Sequence, residues 1–305
     1  MSKIKNILIC GLGAIGGYYA SKVALSGEFN LKILVDEKRL DQYKKTPRII
    51  NNVSFDFDYI LPENIAFKAD LIIISTKSGG LNDAIINIKN FVYDKTVILS
   101  FLNGVTSENK IAEVYGYDKI LYSFLLGHTF FRKNNEITHD GKAKIVFGST
   151  DKTDEKLNRV EEVFNIIDVL HEKSDSIIDL LWQKFAFNCC VNQISAITRL
   201  TFGEMKTNQN CLDLMKHICE EITNVAKNLE GITDFDFYKH TLEYLDLMIP
   251  EGKTSMLQDM EAGVYPEIDI FGGAVCSLGK KFGIKTPVNK TIADLIEITT
   301  ANTHL

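Results

Sequence analysis

Gly11, Gly13 and Gly16 follow directly on the apolar run 7–10, in the stretch Gly11-Leu-Gly-Ala-Ile-Gly-Gly17, and helix-compatible residues continue to Lys22. The chemistry this spacing supports is the holding of a pyrophosphate. Gly11 permits a tight turn, Gly13 lets the backbone approach the phosphates, and Gly16 lets the helix pack on the strand, with helix N-terminal amides facing the anion. Leu12, Ala14 and Ile15 complete this cofactor-binding turn. A second apolar run, 31–35, ends in Asp36, twenty residues past Gly16, where an acid that reads a ribose hydroxyl is expected. A glycine-rich turn in an unrelated α/β protein is the plainer alternative, and the flanking strand and helix argue against it.

A second set of residues sits inside the apolar segment 176–198: Lys184, Asn188 and Asn192 recur at four-residue steps. Trp182, Phe185, Phe187, Val191 and Ile194 fall on other faces, so most of that helix should be buried. The polar three then form one ladder on a single face, and a buried lysine is costly unless something uses it. The ladder could equally be the helix's one wet face. A further polar cluster, Thr254 to Asp259, is followed by Pro266-Glu-Ile-Asp269 and by Gly272 and Gly273. Ser255 and Glu267 could be aimed at a ligand, although residues of these types near helix starts are more often caps.

The elements that must position these groups differ between the two halves. Short apolar runs recur at 6–10, 31–35, 71–75, 97–101, 120–126 and 143–147, with helical stretches between them at 18–25 and 81–90. This is the pattern of a doubly wound, largely parallel sheet. Beyond about residue 173 the texture changes to 3.6-period segments, 177–197, 211–229 and 290–300. The reading is an α/β dinucleotide-binding domain over 1–172 and an all-α domain over 173–305.

Bulk properties narrow the partners. At 305 residues two domains are the default. A net charge of −6 gives no average attraction to nucleic acid or to an anionic membrane surface, and no apolar run is long enough to span a bilayer. Glycines interrupt the N-terminal apolar run before it can serve as a signal peptide. Cys10, Cys189, Cys190, Cys211, Cys219 and Cys276 show no C-x-x-C spacing, which fits reduced thiols in the cytoplasm. The neighbouring pair 189–190 is expected to be buried packing. His128, His139, His171, His217, His240 and His304 are scattered without ligand spacing, so no metal is expected.

Taken together, the residues resemble the ketopantoate reductase family almost end to end. The match is carried by the glycine run 11–17, Thr76-Lys77, Asn103-Gly104-Val105, Leu181-Trp-Gln-Lys-Phe-Ala-Phe-Asn188 with Asn192, Ser255 to Asp259, Glu267-Ile-Asp269 and Pro287-Val-Asn289. The resemblance implies a Rossmann domain joined to a helical domain like that of 6-phosphogluconate dehydrogenase. It implies the reduction of 2-dehydropantoate to (R)-pantoate, on the route to pantothenate, with hydride from NADP(H). Lys184 would be the catalytic lysine and Glu267 the acid that holds a substrate hydroxyl and helps orient the lysine. Asn103, Asn188, Asn192 and Ser255 would line the substrate pocket, with Asn103 also near the nicotinamide, and Lys77 would lie near the cofactor and the substrate.

The chain departs from the family pattern at three places. Asp36 stands where members that use NADPH commonly carry arginine, and its charge favours NAD(H), although Lys38 and Arg39 lie close by. Gln193 stands where proline often follows the asparagine, and Gly252 where some members offer another asparagine. Another branched 2-oxoacid is thus an alternative substrate. A non-catalytic NAD(P)-sensing protein is a further alternative. The small-molecule reading is compatible with a homodimer.

Overall fold

The computed structural model describes residues 3–127 and 130–302; His128 and His304 lie outside the described residues. The chain separates into two compact units, one made of residues 1–102 and 107–177, the other of 103–106 and 178–305. The division falls a few residues past position 172, because strand Leu170–Lys173 still pairs within the first unit.

In the first unit the elements are β1 (Asn6–Cys10), α1 (Ala14–Ser26), β2 (Asn30–Leu34), α2 (Glu37–Lys45), β3 (Arg48–Ile50), β4 (Val53–Phe55), β5 (Tyr59–Ile60), β6 (Leu71–Ile74), α3 (Leu81–Asn87), β7 (Val97–Ser100), α4 (Ser107–Tyr115), β8 (Ile120–Leu126), β9 (Phe130–Lys133), β10 (Glu136–His139), β11 (Lys144–Gly148), α5 (Glu155–Ile166) and β12 (Leu170–Lys173). Eight strands form one sheet in the order β12-β11-β8-β7-β6-β1-β2-β5, parallel except where β11 runs against β8. Every residue of β6 and β7 is buried, as strands covered on both faces must be. Alternate residues of β1 enter opposite cores: Ile7 and Ile9 join one apolar cluster, Leu8 and Cys10 the other. The doubly wound expectation is met.

A second, four-stranded sheet, β4-β3-β10-β9, was not foreseen from the sequence. β3 and β4 are three residues each, too short to show an alternation, and β3 begins with a charged residue, Arg48, that is nevertheless buried. This sheet lies on α1. A side chain at Gly17 would come within 2.4 Å of Ile137 on β10, so Gly17 is what permits the approach.

In the second unit are α6 (Ile177–Phe187), a five-residue π-helical turn (Asn188–Asn192), α7 (Gln193–Thr198), α8 (Phe202–Thr207), α9 (Gln209–Ala226), α10 (Phe237–Asp246), α11 (Ser255–Glu261), a 3₁₀ turn (Ile268–Ile270), α12 (Gly272–Phe282) and α13 (Pro287–Asn302). The single helix expected over 177–197 is thus corrected: a π turn divides it, a feature side-chain periodicity does not reveal. Cys189 and Cys190 are both fully buried, as expected of packing residues, and burial pushes both thiols well above the usual range.

Glu221 on α9 ties the C-terminal helix in place. Its carboxylate accepts from the backbone N–H groups of Val288 (2.8 Å) and Asn289 (3.0 Å) and from Asn289 Nδ2 (2.8 Å). Those amides are among the donors that the first turn of α13 leaves without helical partners. Pro287 fits the first helical position because it has no N–H to satisfy.

Candidate active site

The glycine turn of the first unit has the shape its spacing requires. Gly11 adopts φ +102°, and a Cβ there would lie 2.8 Å from the backbone of Ser75 and Thr76 at the end of β6. A Cβ on Gly16 would lie 1.9 Å from the Gly11 carbonyl oxygen. Ser75 Oγ donates to that same oxygen at 2.8 Å, closing the turn from the neighbouring strand. Gly13 differs: a Cβ there would meet nothing within 4 Å. It is also the N-cap of α1 and supplies no side-chain acceptor to the helix amides. Beside the turn, Thr76 Oγ1 is buried with no hydrogen-bond partner. Open space over Gly13, uncapped helix amides and an unpartnered hydroxyl fit a diphosphate, which would accept from these donors. Leu12 is buried beneath the turn, whereas Ala14 and Ile15 are partly exposed on the first turn of α1.

Asp36 follows β2 as placed by the sequence, but it is already engaged. Its Oδ1 accepts from the backbone N–H of Arg39 (2.7 Å), capping α2, and its Oδ2 pairs with Arg39 Nη1 at 2.9 Å. Asp36 and Arg39 are therefore one local unit. Lys77 is exposed at the start of the short 3₁₀ turn Ser78–Gly80, three residues beyond β6.

In the second unit the ladder assembles as the spacing predicts. Lys184 Nζ donates to Asn103 Oδ1 at 3.1 Å. Asn192 Nδ2 lies 3.4 Å from Asn188 Oδ1, so the two amides remain neighbours through the π turn. Both are buried and Lys184 is partly buried, which sets aside the wet-face reading of the ladder. Asn103 belongs to this unit by its packing. Gly104 beside it has φ +90°, and a Cβ there would sit 3.0 Å from the carbonyl oxygen of Ile270. Ile270 ends the 3₁₀ turn that Glu267 opens, so the 103–104 loop bears on both the ladder helix and the acid's own turn.

The capping question at 254–269 is answered by Thr254. Its hydroxyl accepts from Leu257 N–H at 3.2 Å, and Ser255, the first residue of α11, is exposed and has no part in the cap. Glu267 is partly exposed and its side chain does not cap the 3₁₀ turn.

The sequence marks Gln193 only as a departure from the family pattern, and the structure makes it a positioning residue. Gln193 is fully buried; its Nε2 donates to the Cys189 carbonyl at 2.5 Å and its Oε1 accepts from Gly272 N–H at 3.0 Å. It thereby joins the π turn to the start of α12. The signal for it was a polar residue within an apolar helix but off the ladder. Among the described residues no group of His, Cys, Asp and Glu could hold a metal ion.

A parallel α/β unit with an open glycine cradle, followed by a helical unit carrying a lysine–amide ladder, is the plan of a two-domain oxidoreductase. The model of "Ketopantoate reductase PanE/ApbA" matches residues 7–152, and that of its C-terminal part matches 176–299. The chain belongs to the ketopantoate reductase family. It is 26% identical to the 2-dehydropantoate 2-reductase of Aquifex aeolicus, covering 96% of both chains, and 28% identical to that of Pyrococcus abyssi, covering 96% of this chain and 97% of the relative. It is also 26% identical to an uncharacterised oxidoreductase of Bacillus subtilis, over 94% and 96% of the two chains. Among solved structures, D-mandelate dehydrogenase with NADH and anilino(oxo)acetate superposes with a TM-score of 0.85 at 21% identity, over 98% of this chain and all of the other. A 2-dehydropantoate 2-reductase from Methylococcus capsulatus gives 0.81 at 21% identity, over 98% and 97%. At these identities the superpositions establish the shared fold.

Proposed function

We propose that the chain is an NAD(P)H-dependent reductase of a branched 2-oxoacid, with 2-dehydropantoate as the leading substrate and (R)-pantoate as product. The observation that carries this reading is the hydrogen bond from Lys184 to Asn103. It fixes an ammonium group on a largely buried ladder of neutral amides.

A bound reduced nicotinamide supplies a hydride to the keto carbon. The chain's own residues manage the oxygen. As hydride arrives, the carbonyl oxygen gains negative charge, and Lys184 stabilises that charge and donates the proton that completes the hydroxyl. Such general-acid assistance contributes ~10² to 10⁴ in rate. Asn103 holds the ammonium in place. Asn188, Asn192 and Ser255 offer neutral donors and acceptors to the substrate's carboxylate and hydroxyl, so they add no charge to compete with the lysine. Glu267 accepts from the substrate hydroxyl.

A second substrate within the same class has an observation in its favour. At Gly252 a Cβ would lie 2.9 Å from the Phe202 ring and 3.0 Å from the Ile249 carbonyl oxygen, so the backbone leaves no room for an amide side chain there. A pocket with one polar partner fewer discriminates less sharply for a hydroxylated oxoacid. Initial rates across 2-dehydropantoate and unhydroxylated branched 2-oxoacids, each with NADPH and NADH, test both readings. A kcat/KM at least tenfold higher for 2-dehydropantoate supports the first substrate, and an equal or reversed order supports the second. No oxidation of either cofactor with any oxoacid would leave dinucleotide sensing as the surviving function.

A further inference from the structure

The small sheet of the first unit holds charges that the proposed reaction does not use. Arg48 is 2% exposed, and its Nε and Nη2 are buried with no hydrogen-bond partner. Its Nη1 donates to the carbonyl oxygen of Asn134 at 3.2 Å. Arg132, on the edge strand β9 across β10 from β3, donates through Nε to the same oxygen at 3.1 Å. Two guanidinium groups thus converge on one neutral acceptor, in the turn between β9 and β10. Among the described residues no carboxylate lies within ion-pair distance of either. The floor beside them is aromatic. The Arg48 guanidinium stacks 4.3 Å over the Tyr43 ring, and Tyr43 packs on Tyr59, whose buried hydroxyl has the Phe57 backbone beside it and no group to donate to.

Like charges this close repel, and a buried unpaired arginine costs free energy that a chain retains only if something offsets it. Stacking on Tyr43 offsets part of that cost but satisfies none of the three idle donors: Arg48 Nε, Arg48 Nη2 and the Tyr59 hydroxyl. A third cation, Arg39, acts on Arg132, and burial together with Arg48 and Arg39 holds the Arg132 guanidinium below its usual pKa. Arg39 also acts on Cys10, the residue just before the glycine turn. Asp56 is the one acid whose charge reaches Tyr59, and it is exposed.

We propose that Arg48, Arg132 and Tyr59 form an oxyanion site for a phosphate group, with Arg132 at its exposed mouth and Arg48 as its buried floor. A phosphate dianion matches the inventory: it only accepts, it neutralises both guanidinium groups, and its three oxygens suit a forked donor set. Two sources carry that chemistry. One is a phosphate on the ribose of the bound dinucleotide, an arm that rests on the nicotinamide reading above. The other is free inorganic phosphate.

Calorimetric titration separates them, using 2′,5′-ADP, 5′-ADP and NADH on the free protein, and inorganic phosphate on protein saturated with NADH. The four titrations are repeated on Arg132→Gln, whose side chain is exposed, and on Arg48→Met. With the ribose phosphate as source, 2′,5′-ADP binds at least tenfold more tightly than 5′-ADP, and Arg132→Gln removes that advantage while NADH affinity is unchanged. With the free anion as source, inorganic phosphate binds the NADH-saturated protein at one equivalent, and Arg132→Gln abolishes it. If neither probe responds to Arg132→Gln, the site is overturned whether or not Arg48→Met folds. Normal NADH binding in that case leaves the dinucleotide reading intact, whereas loss of NADH binding by the unmodified protein overturns that reading instead.

Discussion

At the scale of single residues, the strongest claim concerns Lys184. Its ammonium is held by Asn103 on a face whose other members, Asn188 and Asn192, are buried and uncharged. If Lys184 protonates the developing alkoxide, Lys184→Ala lowers kcat by at least ~10²-fold and leaves dinucleotide affinity within twofold, as loss of an interaction made only in the transition state requires. Steady-state rates with direct titration of cofactor check this, and near-normal kcat would overturn the assignment. The glycine turn supports a paired expectation. Gly13→Ala adds a methyl group to open space, so folding is unchanged while the methyl fills the cradle and weakens dinucleotide binding by ~10-fold or more, about 1.4 kcal/mol. Gly16→Ala would place its methyl group 1.9 Å from the Gly11 carbonyl oxygen and so destabilises the fold itself. Thermal unfolding distinguishes the two: an equal loss of Tm in both variants would mean that Gly13 has a packing role the open space denies.

At the scale of elements, helix ends and strand starts are held by single carboxylates. Glu221 serves three donors at the start of α13, and hydrogen bonds to a charged acceptor contribute about 1.5–3 kcal/mol each to stability. Glu221→Gln turns one acceptor into a donor facing backbone N–H groups. It is expected to cost ~2–3 kcal/mol in urea unfolding; a loss below ~0.5 kcal/mol would show that water caps this helix equally well. In the first unit, Asp70 accepts from the backbone N–H groups of Lys5 and Asn6 at 2.9 Å each and from the Tyr93 hydroxyl. Burial raises the Asp70 carboxyl, but these hydrogen bonds outweigh it and leave the group below its ordinary value. Burial and the bond to Asp70 push Tyr93 up to about 12. The two shifts act at opposite ends of the pH scale. A depressed carboxyl contributes stability that is present above its unfolded pKa, near 3.8, and lost as pH falls further; a raised phenol contributes stability that is full below 10.0 and lost as pH rises toward 12. Asp70→Asn should flatten both limbs of the stability–pH profile, and an unchanged acid limb would refute the pairing. What the sequence disclosed at this scale follows the same division. The runs that became β1, β6, β7 and β8 were legible because strands buried along most or all of their length are largely apolar, and the ladder because three polar residues interrupt an apolar helix. The π turn and the Thr254 cap close within a few residues but leave no mark on side-chain periodicity, whereas the Gln193 bond to Gly272, the Glu221 cap and the small sheet depend on partners far away in the chain. No local pattern encodes such a partner.

At the scale of the whole molecule, the division into two units meets a convenient fact of composition. The chain has one tryptophan, Trp182, and it lies buried on α6 in the second unit, packed edge-on against Phe185. The glycine cradle lies in the first. Trp182 fluorescence therefore reports the unfolding of the helical unit, while exchange of the β1 and β6 amides reports that of the α/β unit. A dinucleotide that binds the folded first unit at a hundredfold excess over its Kd adds about 2.7 kcal/mol to that unit's stability by mass action. Each unit has its own buried core, so opening need not be concerted. The expected outcome is slower exchange in β1 and β6, by the ~100-fold that this energy implies, with the urea midpoint of Trp182 fluorescence unmoved. A parallel rise in both would show that the units open as one cooperative body. A rise in the fluorescence midpoint alone would place the dinucleotide on the helical unit and remove the glycine turn from its role.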